Sequence, residues 1–193
     1  MALVFNHAAI PSAGGVVINN TTVKSLRLNN TEYWKKAPEP VYIYNEGAGY
    51  ISSYYDGGCY ENRQITWDNL YCWYIVPWTD ATATWRSGGI CSGSPVDVTE
   101  YTTLHCMWTS HSGYGDAWAS NPTFQMFTSV NGTNPQHSDF LFTDHEVYPA
   151  WHEGAYDISW VTGNRYIHVR NTSGNGGSYN GASGVRIRRI WLT

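Results

Sequence analysis

The closing stretch SGVRIRRIWLT (Ser183–Thr193) decides the fold. Val185 and Ile187 stand two residues apart, the spacing that puts side chains on one face of a β-strand. Ile190 and Leu192 have the same spacing but fall out of phase with the first pair. One extra residue near Arg188–Arg189 returns all four to a single face, so the stretch predicts a strand with a β-bulge there. Just upstream, YDISWVTGNRYIHV (Tyr156–Val169) carries the same alternation. Ile167 and Val169 point one way, and Tyr166, His168 and Arg170 the other. In 104–108, Leu104, Cys106 and Trp108 share a face. These are strands with one buried side.

The pattern extends outward. Short alternating runs recur between clusters of Gly, Asn, Ser and Pro, and no window of a dozen residues repeats apolar positions at helical spacing. Candidate strands fall at 41–45, 50–54, 63–67, 70–76, 81–86, 102–109, 122–129, 156–161, 165–171 and 184–192, of which about eight or nine are expected to form. Asp97-Val98-Thr99 predicts a turn ahead of the strand at 102–109, because Asp and Thr side chains bond nearby backbone amides. The expected fold class is all-β.

The first forty residues read differently. Residues 1–15 look like an extended arm. Residues 16–36 predict a hairpin with Asn29-Asn30 as its two-residue turn, since Asn tolerates positive φ. That turn sets Leu28 opposite Thr31, Arg27 opposite Glu32, Leu26 opposite Tyr33 and Ser25 opposite Trp34. A lone hairpin is marginal in water, so this one leans on the larger domain or on a neighbouring subunit. Leu26, Leu28, Tyr33 and Trp34 are the candidate attachment and oligomerisation residues. APEP (Ala37–Pro40) cannot continue a central strand, and divides an attachment segment at 1–40 from a displayed domain at 41–193.

Composition narrows the function classes. Of 193 residues only 13% are charged, against about 25% in average usage, while 16% are aromatic. The net charge is −4, and no basic run is present to follow a phosphate backbone, so nucleic acid is not an expected partner. Arg186, Arg188 and Arg189 form a small basic cluster that reads as the solvent face of a strand. The cysteines at 59, 72, 91 and 106 form no CxxC pair and are expected as free thiols, since a chain of this size needs no disulfide framework. The N-terminus lacks the basic and apolar regions of a signal peptide. No apolar run is long enough to cross a membrane as a helix.

Three motifs carry a further family resemblance. VDVTEYTTL, YDISWVTGNRYIHV and GVRIRRIWL together resemble the jelly-roll sandwich domains of bacteriophage tail and receptor-binding proteins. VKSLRLNNTEYWKK (Val23–Lys36) is similar to a small hairpin of phage structural proteins, with Asn30 where that hairpin has Gly. The resemblance implies an antiparallel jelly-roll β-sandwich behind the arm and hairpin. It also implies a virion protein, such as a tail fibre, tail tip or head decoration, assembled in the host cytoplasm. Its partners would be other virion proteins and copies of itself, a trimer by analogy, and its fold would be shared with carbohydrate-binding modules.

Such a domain is expected to bind host-surface glycan through aromatic loops. SHSGYGDAWASN (Ser110–Asn121) supplies His111, Tyr114, Asp116 and Trp118. TDHEVYPAWHEG (Thr143–Gly154) supplies Asp144, Tyr148, Trp151 and His152. If the loops meet at one end they form a glycan cleft; otherwise Trp118 and Trp151 cap the core. Asp144, Glu146 and Glu153 are the acidic cluster that a polysaccharide depolymerase would need, but no serine-nucleophile motif accompanies them. No enzyme activity and no cofactor are expected, and a structural calcium ion is the metal such sandwiches admit. The alternative to a virion protein is a stand-alone lectin or adhesin.

Overall fold

The computed structural model describes residues 4–5, 8–9, 16–18, 21–23, 25–28, 31–49, 51–56, 59–77, 85–112, 123–130, 138–144, 150–174 and 183–193. It separates into two compact units, Met1–Glu39 and Pro40–Thr193.

The first unit is built of two-stranded pieces. β1 (Val4–Phe5) pairs with β2 (Ala8–Ala9), β3 (Val16–Ile18) with β4 (Thr21–Val23), and β5 (Ser25–Leu28) with β6 (Thr31–Lys35). The expected extended arm is therefore already paired at β1 and β2. In the last hairpin Leu28 faces Thr31 and Arg27 faces Glu32, as the Asn-Asn turn requires. The register then slips, setting Leu26 opposite Trp34 and Ser25 opposite Lys35. Tyr33 is the extra residue, so it does not face Leu26. The alternation rule fails there because a bulge inserts one unpaired residue. The roles read for Leu28, Tyr33 and Trp34 fall on side chains outside the described residues; Leu26 is half-buried.

The second unit is an antiparallel sandwich of two sheets. Its strands are β7 (Val41–Asn45), β8 (Ile51–Asp56), β9 (Cys59–Trp67), β10 (Leu70–Pro77), β11 (Trp85–Ser92), β12 (Val96–Asp97), β13 (Thr103–Ser112), β14 (Thr123–Ser129), β15 (Ser138–Asp144), β16 (His152–Asp157), β17 (Asn164–Gly174) and β18 (Ser183–Leu192). The front sheet runs β16-β13-β18-β10-β9, with β7 also on β18. The back sheet runs β15-β14-β17-β11-β8, with β12 also on β17. Apart from the hairpins β9-β10 and β14-β15 and the step β11-β12, successive strands lie in different sheets. The chain thus weaves the layers together.

The inner faces meet in one core. Leu104, Cys106, Trp108, Val185, Ile187, Ile190 and Leu192 come from the front, and Ile90, Met126, Ile167 and Val169 from the back. Each large apolar side chain so buried contributes about 1.5–3 kcal/mol. Asn171 of β17, fully buried, donates from Nδ2 to the carbonyl of Ile75 across the gap at 3.1 Å. Cys72, Cys91 and Cys106 are buried free thiols, while the side chain of Cys59 lies outside the described residues.

The bulge predicted in β18 is present. Met107 pairs with Arg189 and Trp108 with Ile187, which leaves Arg188 as the extra residue. Val185, Ile187, Ile190 and Leu192 consequently all point inward, none more than 1% exposed.

Two expected strands need correction. The strand expected at 81–86 is β11, which spans Trp85–Ser92 and so runs on well beyond the expected end. Gly88 and Gly89 are in fact buried within the sheet. The strand expected at 156–161 ends at Asp157, and Ile158 and Val161 plug the sandwich end from a turn.

That turn has a twin. Asp97 Oδ1 accepts from the Thr99 amide at 3.0 Å, and Asp157 Oδ1 from the Ser159 amide at 2.9 Å. Val98 and Ile158, at matching positions, are both fully buried. Each turn also bonds the segment that follows the other. Val98 N donates to Gly163 O, Gly163 N to Thr99 Oγ1, and Ile158 N to Thr102 O.

Candidate functional site

The outward face of the front sheet concentrates the aromatic and cationic side chains that alternation removes from the core. Strand register arranges them in rows. One row passes from Thr109 through Arg186 and Tyr74 to Arg63, with Trp151 immediately before β16 beside Thr109. The next holds Glu153, Met107 and Arg189. A third holds Ala155, His105, Trp191 and Tyr42.

Local sequence shapes the first row. Asp68 and Asn69 both adopt positive φ (50° and 62°), the requirement of a two-residue type I′ hairpin, and this sets Trp67 at the tip of β9. A Cβ on Gly184 would stand 2.2 Å from Tyr74 Cε2. Glycine at 184 is what lets the Tyr74 ring lie down on the sheet.

Trp67 and Trp151 belong to opposite edges of the sheet, four strand spacings or about 19 Å apart. Their ring centroids are nonetheless 5.5 Å apart. The two indoles therefore arch across the face and meet over its middle. Beneath them the Arg186 guanidinium lies 3.4 Å from the Trp67 centroid and 5.3 Å from that of Tyr74. Arg188 stands 5.9 Å from the Trp151 ring. Arg186 was expected on a solvent face, but it is buried, with the Trp67 ring against its guanidinium.

The bulge shapes the second row. Successive residues of a regular strand point to opposite faces, whereas Arg188 and Arg189 both reach the carboxylate of Glu46. Arg188 Nε donates to Glu46 Oε1 at 2.8 Å, Arg188 Nη2 lies 2.7 Å from it, and Arg189 Nη2 also reaches it. The Glu46 amide, from a left-handed residue (φ 48°), donates to the Arg188 carbonyl at 3.0 Å. Burial alone would raise the Glu46 pKa, but the hydrogen bonds and charges of the two arginines outweigh it and hold it below the usual carboxylate range.

The third row is a stacked ladder. His105 lies parallel to Trp191 with centroids 4.7 Å apart, and Tyr42, 51% exposed, stacks on Trp191 at 6.1 Å. His105 Nε2 is 2.9 Å from Thr193 Oγ1, and Nδ1 is 3.6 Å from Glu153. Burial pulls the His105 pKa below its ordinary value in spite of Glu153, so the ring is neutral at neutral pH.

Of the residues expected at a site, Trp151 and His152 have described side chains, and they face opposite ways. Trp151 joins the outward arch. His152 turns inward, edge-on to buried Trp108 at 5.8 Å. Tyr114, Asp116, Trp118, Glu146 and Tyr148 lie outside the described residues, as do the side chains of His111 and Asp144. Asp144 and Glu153 are close in sequence but end up in different sheets, on β15 and β16. Among the described residues no three of His, Cys, Asp and Glu come together as a metal site.

Tyr42, Trp67, Tyr74, His105 and Trp191 escaped the sequence reading, which looked to loops. The available signal was phase: each sits on the outward alternation of a strand, where an aromatic ring needs another reason to be there.

No protein-family model matches the chain, and no curated protein matches it. Solved structures do. A family 27 carbohydrate-binding module from Caldicellulosiruptor saccharolyticus, solved with mannohexaose, matches with a TM-score of 0.54 and 10% identity, over 80% of this chain and 97% of that one. The family 30 carbohydrate-binding module of a cellulosomal cellulase from Clostridium thermocellum matches with a TM-score of 0.51 and 10% identity, over 81% and 98%. The chain also aligns to a glycoside hydrolase domain structure, Endo-D from Streptococcus pneumoniae R6, at 11% identity and a TM-score of 0.49, spanning 21% of that chain. At these identities the likeness establishes the fold, an antiparallel jelly-roll β-sandwich.

Proposed function

We propose that Pro40–Thr193 is a non-catalytic carbohydrate-binding domain, and that a glycan chain lies along β18 on the front face. The observation that carries this is the outward row of flat aromatic rings interleaved with arginines. Apolar ring faces with a few placed polar groups are how proteins hold a ligand that is both apolar and hydrogen-bonding. Its likeness in fold to carbohydrate-binding modules supports the same reading. Two carboxylates of the face are engaged otherwise, Glu46 with two arginines and Glu153 beside His105. This favours binding over acid–base chemistry.

The virion role rests on the motif resemblance alone, so the stand-alone glycan-binding reading takes precedence. Attachment or self-association through Met1–Glu39 is kept as a proposal for that separate unit, checked by comparing the sedimentation of the full chain with that of Pro40–Thr193.

Affinity electrophoresis of the full chain through gels containing neutral and acidic polysaccharides tests the glycan reading. Retardation by at least one polymer is expected, weakened about tenfold by Trp151→Ala or Tyr42→Ala, a size typical of losing a buried aromatic anchor. Absence of retardation by every polymer would sink it.

A further inference from the structure

The front face holds a buried arginine whose donors are not all met among the described residues. Arg186 is 7% exposed, and its Nε and Nη1 meet no hydrogen-bond acceptor. It makes no ion pair among the described residues. Cys72 cannot supply a charge, because burial pushes its thiol pKa up to about 11. Burial also pulls the arginine pKa below its ordinary value, against the opposing pull of Tyr74, Cys72 and Asp68, yet a guanidinium stays protonated.

Stacking on Trp67 offsets part of the desolvation, but it leaves the N–H donors unmet, and buried donors without acceptors are costly. One step along β18, Arg188 and Arg189 share the single carboxylate of Glu46. Arginines thus gather along β18, in a chain whose net charge is −4.

We propose that the glycan taken by this face is acidic: a uronic acid residue places its carboxylate on the Arg186 fork, with Arg188 alongside and its sugar ring against Trp151. The inference rests on the glycan-binding reading above. A planar carboxylate accepts two parallel hydrogen bonds from a guanidinium, which a neutral hydroxyl cannot match. Displacing the Trp67–Trp151 arch would open the way to the arginine.

The test uses the full chain in calorimetric titrations with polygalacturonate, its fully methyl-esterified form, a sulfated galactan and neutral mannan. Polygalacturonate is expected to bind at least about tenfold more tightly than the ester, because esterification removes the charge-assisted pair, and its affinity should fall as salt rises. Arg186→Lys keeps the charge but loses the fork, and should weaken polygalacturonate more than it weakens the methyl ester. If that variant does not fold, the comparison of acid with ester on the natural chain decides alone. Equal binding of acid and ester overturns the acidic-sugar inference and leaves the glycan reading standing. Binding confined to the sulfated polymer overturns the carboxylate assignment. Binding to none of the four overturns the inference, and with blank gels it removes the glycan reading as well.

Discussion

The two central strands, β17 and β18, have the same place in their sheets and different characters. Each has one long neighbour on one edge, β14 or β13, and two successive neighbours on the other, β11 and β12 or β10 and β7. β17 keeps a constant register with each of its neighbours. Its outward His168 is fully buried, 2.7 Å from the Ser129 hydroxyl. β18 breaks its register at Arg188 and turns arginines and Trp191 outward. The comparison teaches that one inserted residue did two things. It kept four apolar side chains in the core, and it set consecutive arginines on the same outer face.

Removing that residue should have the largest effect. Deleting Arg188 straightens β18 and sends Ile190 and Leu192 outward, forfeiting about 1.5–3 kcal/mol for each. Against a total stability of about 5–15 kcal/mol, the expected urea transition is shifted far down or lost. A natural midpoint in the deletion variant would reject the bulge as the source of the core's phase.

The next effect concerns the tie between the sheets. Asn171→Ala strands the Ile75 carbonyl in the core, and should lower the unfolding free energy by about 1–3 kcal/mol with an unchanged urea m value. A cost no larger than that of an exposed substitution would mean the cross-sheet bond contributes nothing.

The smallest effect is electrostatic. Glu46→Gln should cost about 1 kcal/mol or less at neutral pH. Because the folded-state pKa of Glu46 is depressed, its contribution is fully present above the unfolded value and is lost as pH falls through the folded one. The difference between natural and variant midpoints should therefore close below about pH 4. A pH-independent difference would show that the carboxylate charge is not what pins the bulge.

The parts of the fold that depend on local periodicity could be read from the sequence. The bulge followed from the phase of Val185, Ile187, Ile190 and Leu192, and the Asp97 turn from its side-chain chemistry. The continuation of β11 past Arg86 was hidden because buried glycines look like turn residues when their packing partners are unknown. Residues 156–161 misled because a turn that buries its middle residue prolongs a strand's apolar pattern beyond the strand. The register slip at Tyr33 had no apolar phase shift to announce it. The candidate face was illegible for a different reason. Trp67, Trp151 and Arg186 are far apart in sequence and meet only through the order of strands across the sheet, which no local pattern encodes.

The twin Asp turns have a kinetic consequence. Residues 97–102 and 157–163 are some sixty positions apart, yet neither turn has its full set of hydrogen bonds until the other is in place. Closing so long a loop must precede the contacts that reward it. The β12-to-β13 and β16-to-β17 crossings therefore lock late and together, as a latch rather than as two independent corners. A chain emerging from the ribosome would hold the first half of that latch open until the second arrived.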